Sequence, residues 1–290
     1  MDVFLQLTVS GLSNGMVYAL AAVGFVVIYK ASDVINFAQG ELLLFGAYLS
    51  FFAIAQIGLP WGLGVLLTLV LAVALGLLIE RLALRPLIGE PVISMIMVTV
   101  GMASVLRAVV NAIWGARPRT FPAFLPAGEV SLGGAVLGMD RLVVIPTAAV
   151  VIGLLGLFFR YTRDGIAMRA IADDQQAALS MGISIKRVIG VAWALACVSA
   201  AVGGIMLGNI VGVSQNIGAI GLRVFPVLIL GGLDSIAGAV VGGAIIGLLE
   251  AYTGGYVGHG LNLVVPFAVL IVVLMVRPYG LFGRPIIERV

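Results

Sequence analysis

Six polar side chains interrupt otherwise apolar stretches of this sequence and are candidates for lining a translocation path. They are Asn14, Asn36, Gln39, Glu41, Asp234 and Ser235. A carboxylate at mid-bilayer costs about 2.5–3.5 kcal/mol on insertion scales, so such groups are expected to face a cavity, a partner or each other. We interpret Glu41 and Asp234 as lining or bracing a translocation path. Capping of broken helices explains both residues equally well.

Two further charges, Arg107 and Glu250, lie near the outer ends of apolar runs. Long side chains at such positions can extend to the membrane surface, and this is the favoured explanation for both. Arg107 also shares one helical face with Ser104 and Asn111, because their spacings are three and four residues. A structural polar network therefore stays open as an alternative.

The residues needed for common enzyme chemistry are missing from the sequence. Neither lysine, Lys30 or Lys186, follows a glycine, so a phosphate-binding GxxxxGK[ST] loop is excluded. The single histidine, His259, has no HExxH neighbour and is predicted to be an ordinary outer-loop residue. The single cysteine, Cys197, can form neither an internal disulfide nor a cysteine metal cluster. The sequence predicts no enzyme and no metal site.

The composition indicates that lipid is the solvent for most of the chain. The 290 residues are 62% hydrophobic and 10% charged, with a mean hydropathy of +1.21. A soluble domain needs roughly 25–35% charged residues at its surface. Since one crossing takes about 20 apolar residues, we predict an all-α polytopic membrane protein with eight or nine transmembrane segments, forming a single domain over residues 1–290. The basic residues lie at the ends of apolar runs, so the net charge of +3 indicates no nucleic-acid partner.

One pair of apolar runs is too short to span comfortably. Asp234 separates Val224–Leu233 from Ser235–Leu249, and short interrupted segments are typical of broken helices on a transport path. The remaining predicted runs are Val3–Tyr29, Leu42–Leu59, Leu63–Ile79, Val92–Trp114, Leu142–Phe159, Val188–Val213 and Leu261–Val276.

The distribution of basic residues predicts the orientation. Arg160–Arg187 contains five of the sixteen basic residues, and Lys and Arg concentrate in cytoplasmic loops. Placing this stretch and the C-terminus inside and the N-terminus outside puts eleven basic residues in inner segments and four in outer ones. The first apolar run has no Lys or Arg before it, which argues against a cleaved secretory signal.

The central stretch also predicts a short amphipathic helix. Asp164 stands at the N-cap position of a helix over Gly165–Met181, and Gly182 suits a left-handed C-terminal stop. Its small apolar residues would fit a groove on a partner protein. A helix that lies on the membrane surface explains the pattern equally well.

Three motifs resemble one family of transporters. AIADDQQAALSMGIS resembles the cytoplasmic coupling loop of ABC importer permeases, although Asp173–Asp174 replaces the usual single glutamate. VINFAQGELLLFGAY at Val34–Tyr48 and FPVLILGGLDSIAGAVVGG at Phe225–Gly243 are similar to the branched-chain amino-acid permeases of the LivH type, and the similarity extends over nearly the whole chain.

The resemblance implies a permease subunit of the bacterial inner membrane that imports branched-chain, hydrophobic amino acids. It implies four partners: a second homologous permease, two ATPase subunits and a periplasmic substrate-binding protein. ATP and Mg²⁺ would be bound by the ATPases, and this chain would hold no cofactor. The residues expected to couple to the ATPases are Asp164, Ala170, Asp173, Asp174, Ala177, Ala178, Met181 and Gly182.

Two other functions stay open at this point. A related permease for urea or short amides would share the same motifs. An ion-coupled secondary amino-acid transporter could use Glu41 and Asp234, although the central helix would then have no docking partner.

Overall fold

A computed structural model describes residues 2–122, 124–126, 128–132, 135–258 and 260–283. The prediction made for His259 falls outside the described residues, and so do Arg284 and Arg289, two of the eleven basic residues placed in inner segments.

Within these ranges the chain forms eleven α-helices and one β-hairpin. The helices are α1 Asp2–Ser32, α2 Gln39–Phe51, α3 Trp61–Ile79, α4 Val92–Trp114, α5 Met139–Tyr161, α6 Arg163–Asp173, α7 Gln175–Ser180, α8 Ile185–Val211, α9 Ile220–Gly231, α10 Ile236–Tyr252 and α11 Val265–Val276. Single π-helical turns extend three of them: Phe52–Gln56 continues α2, Glu80–Leu84 continues α3 and Thr253–Val257 continues α10.

The polytopic all-α architecture is confirmed. In the described part of the chain, six helices are long and apolar enough to cross a membrane: Asp2–Ser32, Trp61–Leu87, Val92–Trp114, Met139–Tyr161, Ile185–Val211 and Ile236–Val257. Two shorter apolar helices cover Gln215–Gly231 and Leu261–Val276. The total of eight or nine crossings stays a prediction. The break around Asp234 is present, since α9 ends at Gly231 and α10 begins at Ile236.

The loop between α4 and α5 contains the hairpin, which the sequence did not predict. Strand β1 (Glu129–Leu132) pairs antiparallel with β2 (Ala135–Gly138), and Val130 stands opposite Leu137. Both strands have only four residues. Such short strands in a proline-containing loop give little periodicity from which to predict them.

Helix α1 lies at the centre and packs against α5, α8, α9 and α10. Its seam with α10 depends on glycines from both helices. A Cβ atom added to Gly11 would lie 2.9 Å from the carbonyl oxygen of Gly247, and one added to Gly15 would overlap the carbonyl group of Gly243. The two backbones are thus nearly in contact, which is the packing that small residues permit inside membranes.

The segment after α11 completes the end of α9. The backbone N–H groups of Leu281 and Phe282 donate to the carbonyl oxygens of Leu230 and Gly231 at 2.8 and 3.0 Å. The last carbonyls of a helix have no partner within the helix itself. Here residues from beyond α11 supply two of those partners.

Candidate translocation site

The connection between α1 and α2 is organised by two of the predicted path residues. Asn36 is buried, and its Oδ1 accepts a hydrogen bond from the backbone N–H of Ala38 at 3.0 Å. Its Nδ2 donates to Oε1 of the buried Gln39 at 3.1 Å. The asparagine therefore shapes the turn that begins α2 and fixes the side chain of the first residue in that helix.

Glu41, in the first turn of α2, forms an ion pair with Arg107 of α4. The glutamate side chain is 7% exposed, whereas 51% of the arginine side chain is exposed. The N-cap position of α2 is held by Ala38, so Glu41 is not the cap that the sequence left open as an alternative. Arg107 was expected to reach the membrane surface alone; the structure instead gives it a partner 66 positions away in the sequence.

The ion pair leaves hydrogen-bonding capacity unused. Among the described residues, Oε2 of Glu41 and Nε2 of Gln39 have no hydrogen-bond partner although both atoms are buried. Helix α9 begins beside them, because Gly40 and Gly221 let the backbones meet: a Cβ atom on Gly40 would lie 2.8 Å from the Gly221 Cα. The start of α2 is thus a buried polar cluster enclosed by α4 and α9.

A second polar cluster joins α1, α9 and α10, and the sequence did not predict it. The Tyr18 hydroxyl donates to Oε2 of Glu250 at 2.6 Å, and Nη1 of Arg223 donates to the Tyr18 hydroxyl at 3.3 Å. Arg223 and Glu250 also lie 3.9 Å apart. Glu250 is therefore a buried member of this cluster and does not extend to the membrane surface. The only signal in the sequence was the pair of charges in two separate apolar runs.

Asn14 lies beside this second cluster in α1. It is partly buried and stands one helical turn before Tyr18, so the two side chains share a face of the helix. The structure therefore associates Asn14 with the Tyr18 region of the bundle.

The two predicted residues at the helix break have different surroundings from Glu41. Ser235 caps α10, since its Oγ accepts a hydrogen bond from the Gly238 N–H at 3.0 Å. Capping is thus performed by Ser235, whereas Asp234 lines a cavity of about 520 Å³. Four further charged residues line this cavity: Lys30 in α1, Asp33 in the turn after it, and Arg169 and Asp173 in α6.

The cavity lies at the end of the molecule where α6 packs against α1. Burial raises the pKa of the Asp33 carboxyl above its ordinary value, because an ionised carboxylate is poorly solvated there. The six predicted path residues therefore do not form one site. Asn36, Gln39 and Glu41 are together, Asn14 lies in α1, and Asp234 with Ser235 lies beside α6.

The predicted single helix over Gly165–Met181 is wrong, because the segment forms two helices. Thr162 caps α6 by accepting a hydrogen bond from the Gly165 N–H at 3.0 Å, so Asp164 is not the N-cap. Asp164 instead forms an ion pair with Arg187 at 2.9 Å. The chain breaks at Asp174, whose Oδ1 accepts from the N–H groups of Gln176 and Ala177, both at 2.9 Å, and so begins α7.

The end of this segment follows the prediction at Gly182, which has φ +81°. The apolar side chains of this segment differ in exposure. Ala178 is 4% exposed and packs into the protein, whereas Met181 is 83% exposed. Leu179 is also exposed, at 51%. The remaining predicted coupling residues differ in exposure: Ala170 is partly buried, and Asp173, Asp174, Ala177 and Gly182 are exposed.

A bundle of long apolar helices with buried polar clusters between them is the architecture of a multi-pass membrane protein, and the sequence comparisons identify it as a permease. The chain belongs to the family described as the permease component of the branched-chain amino acid transport system, whose sequence profile matches residues 7–274.

Individual relatives match the chain from end to end. The high-affinity branched-chain amino acid transport system permease protein LivH of Escherichia coli (strain K12) is 35% identical over 302 residues, covering 99% of this chain and 98% of the relative. BraD of Pseudomonas aeruginosa, also a high-affinity branched-chain amino acid transport system permease protein, is 35% identical over 303 residues with the same coverage. The fructose import permease FruF of Bifidobacterium longum is 26% identical over 259 residues, 80% of this chain and 66% of FruF.

Among solved structures, PsaBC from Streptococcus pneumoniae in complex with Fab has a similar fold. The TM-score is 0.50 with 12% sequence identity, and the match covers 95% of this chain and 92% of that one. At this identity the likeness concerns the fold alone.

Proposed function

We propose that this chain is the membrane-embedded subunit of an ABC importer that carries branched-chain amino acids across the bacterial inner membrane. The observation that carries the proposal is the 35% identity to LivH and BraD over 99% of the chain. The fructose permease in the same comparison indicates that this fold also serves other cargo. The cargo must therefore be tested directly.

The complete importer would contain a second homologous permease, two ATPase subunits and a periplasmic substrate-binding protein. ATP and Mg²⁺ would be bound by the ATPases, since the sequence has no phosphate-binding loop of its own. Membrane lipid would cover the remaining outer surface.

The orientation we propose has the N-terminus outside, with Arg160–Arg187 and the C-terminus in the cytoplasm. The support is the concentration of five basic residues in that stretch, because positively charged loops stay on the cytoplasmic side.

In this orientation α6 and α7 lie on the cytoplasmic side, and the end of α7 faces the ATPases. Leu179 and Met181 would make the contact, because they are apolar and exposed at the end of α7. Ala178, Asp164 and Asp174 would support that surface through packing, the ion pair to Arg187 and the α7 cap. Ala170, Asp173, Ala177 and Gly182 complete the expected coupling segment.

The path through the membrane would pass the buried polar cluster of Asn36, Gln39 and Glu41. Asp234 and Ser235, at the cavity beside α6, would belong to its cytoplasmic end, and Asn14 to the α1 wall. Because a binding protein delivers the cargo, these residues need to bind it only weakly.

Reconstitution tests the proposed function. The four-subunit complex with its binding protein, placed in proteoliposomes, should take up labelled leucine only with ATP and Mg²⁺. Excess isoleucine or valine should compete, and excess urea or acetamide should not. Competition by urea alone would assign the chain to the amide permeases. Leucine uptake by this chain alone under a proton or sodium gradient, without ATP, would assign it to the secondary transporters.

A substitution tests the proposed contact with the ATPases. Met181→Glu should abolish stimulation of ATP hydrolysis by the loaded binding protein while leaving the detergent-purified chain as stable as the wild type. Ile166→Glu is the matched control, since Ile166 is 50% exposed on α6 but lies outside the proposed contact. Wild-type coupling in Met181→Glu would exclude this contact.

A further inference from the structure

Helix α4 is the least enclosed of the long apolar helices in the described chain. Only 11% of its most apolar stretch is buried inside the protein. Its buried face consists of Thr99, Leu106, Val110 and Trp114. The other residues of this helix are exposed or only partly buried, and Val98, Met102 and Ala103 pack partly against the core.

The exposed surface of α4 has two different sides. Ser104, Arg107 and Asn111 are all exposed and, at about 100° per residue, fall within about 60° of one another around the helix axis. Val105 and Val109, on the far side, are exposed and apolar. Around Ser104–Asn111 one side of α4 is therefore polar and the other apolar, although Val100, which falls on the polar side one turn earlier, is also exposed.

An arginine facing lipid at this depth would be unfavourable. Arg107 lies two turns inside the end of α4, and half of its side chain is exposed even though Glu41 is its partner. Charged groups within a membrane typically face a water-filled cavity or another polar group. The side of α4 that carries Arg107 therefore faces something other than hydrocarbon.

The groups behind Arg107 make it part of a prepared site. Glu41 binds the Nη2 end of the guanidinium, which has five N–H donors, and about half of the arginine side chain stays exposed. The buried Glu41 Oε2 and Gln39 Nε2 still have no partner among the described residues. A guanidinium held on one side and open on the other can bind a carboxylate through two parallel hydrogen bonds.

We propose that the Ser104–Arg107–Asn111 face of α4 lines the transport pathway, and that Arg107 binds the carboxylate of the passing amino acid. Glu41 positions the arginine, and the polar side chains of Ser104 and Asn111 bind water on this side of the helix. The inference rests on the proposed function, since it needs an amino acid as cargo.

Thiol labelling tests where the face points. Cys197 is the only cysteine and is buried, so a Cys197→Ser background allows single cysteines to be introduced. In the reconstituted complex, Ser104→Cys and Asn111→Cys should react with a charged, membrane-impermeant thiol reagent during ATP-driven transport. Val105→Cys and Val109→Cys are the matched controls on the same helix and should not react. Equal labelling of all four positions, or of none, would overturn the proposed placement.

A conservative substitution tests the role of Arg107. Arg107→Lys keeps the charge beside Glu41 but loses the paired donors, so leucine uptake should fall about ten-fold. Thermal unfolding and stimulated ATP hydrolysis should stay at wild-type values. Arg81→Lys, at an exposed arginine after α3, is the control and should leave uptake unchanged.

The possible results for Arg107→Lys lead to different conclusions. Wild-type uptake in Arg107→Lys would overturn the carboxylate contact. A loss of uptake accompanied by a matching loss of thermal stability would also overturn it, because Arg107 would then serve only to hold α4 against α2. Failure of the proposed function itself would appear separately, as absence of leucine uptake by the wild-type complex.

Discussion

Helices α1 and α4 are both long, apolar and able to span a membrane, yet the protein uses them in opposite ways. Their mean hydropathies are 1.8 and 2.0, but 89% of the most apolar stretch of α1 is buried and only 11% of that of α4. The difference arises from small residues. The glycines of α1 meet the backbone of α10, whereas a Cβ atom on Gly101 of α4 would meet nothing within 4 Å. Hydropathy predicts a crossing, and the spacing of small and polar residues decides what the crossing contacts.

The largest expected contrast comes from one substitution made in both helices. Gly15→Leu should destabilise the protein by about 3 kcal/mol, the upper end of the usual cost of overpacking, because the new side chain overlaps the backbone of α10 and can be accommodated only if both helices move. The measurement is the yield and thermal stability of monodisperse protein in detergent.

Gly101→Leu is the matched change in α4. It should leave the stability of the isolated chain near that of the wild type, since the position is open. Equal losses of stability from the two substitutions would mean that α4 is packed as tightly as α1, which would contradict the contrast drawn between the two helices.

A medium effect is expected from the buried hydroxyl of α1. Tyr18→Phe removes the hydrogen bond to Glu250 and leaves that carboxylate with a more distant Arg223. Loss of a hydrogen bond to a buried charged group should cost about 1.5–3 kcal/mol. Thermal unfolding measures this loss of stability. Tyr161→Phe is the control, because Tyr161 at the C-terminal end of α5 is 68% exposed. Unchanged stability of Tyr18→Phe would mean that the cluster contributes nothing to the fold.

The smallest effect compares apolar side chains. Val23→Ala should destabilise by about 1–2 kcal/mol, because Val23 is fully buried in α1 and its truncation leaves a cavity. Val105→Ala on the lipid side of α4 should change the stability by no more than about 0.5 kcal/mol. A larger effect at Val105 would show that this side of α4 packs against protein even in the isolated subunit.

The sequence predicted the long apolar helices well because each depends on a local run of apolar residues. Val92–Trp114 was predicted with the same limits that α4 has. The broken helices around Asp234 were also predicted, since fifteen or fewer apolar residues cannot span alone.

The polar contacts could not be predicted in the same way. Glu41 and Arg107 are 66 positions apart, and Tyr18 and Glu250 are 232 positions apart. Neither pair can be recognised without the packing of the helices. The predicted single helix over Gly165–Met181 was wrong for a local reason: the side chain of Asp174 accepts two backbone N–H groups and begins a new helix. The roles of the six path residues and of the coupling residues stay predictions.

The end of α9 can be completed only after Leu281 and Phe282 have been synthesised, because these two residues donate hydrogen bonds to its last carbonyl groups. The ribosome makes α9 before α10 and α11, and the two donors emerge after all three. Until then, the carbonyl groups of Leu230 and Gly231 must be satisfied by water or other groups. The final shape of the break at Asp234 is therefore reached only after α11 and the residues that follow it have been made, and a chain released directly after α11 would lack this closure.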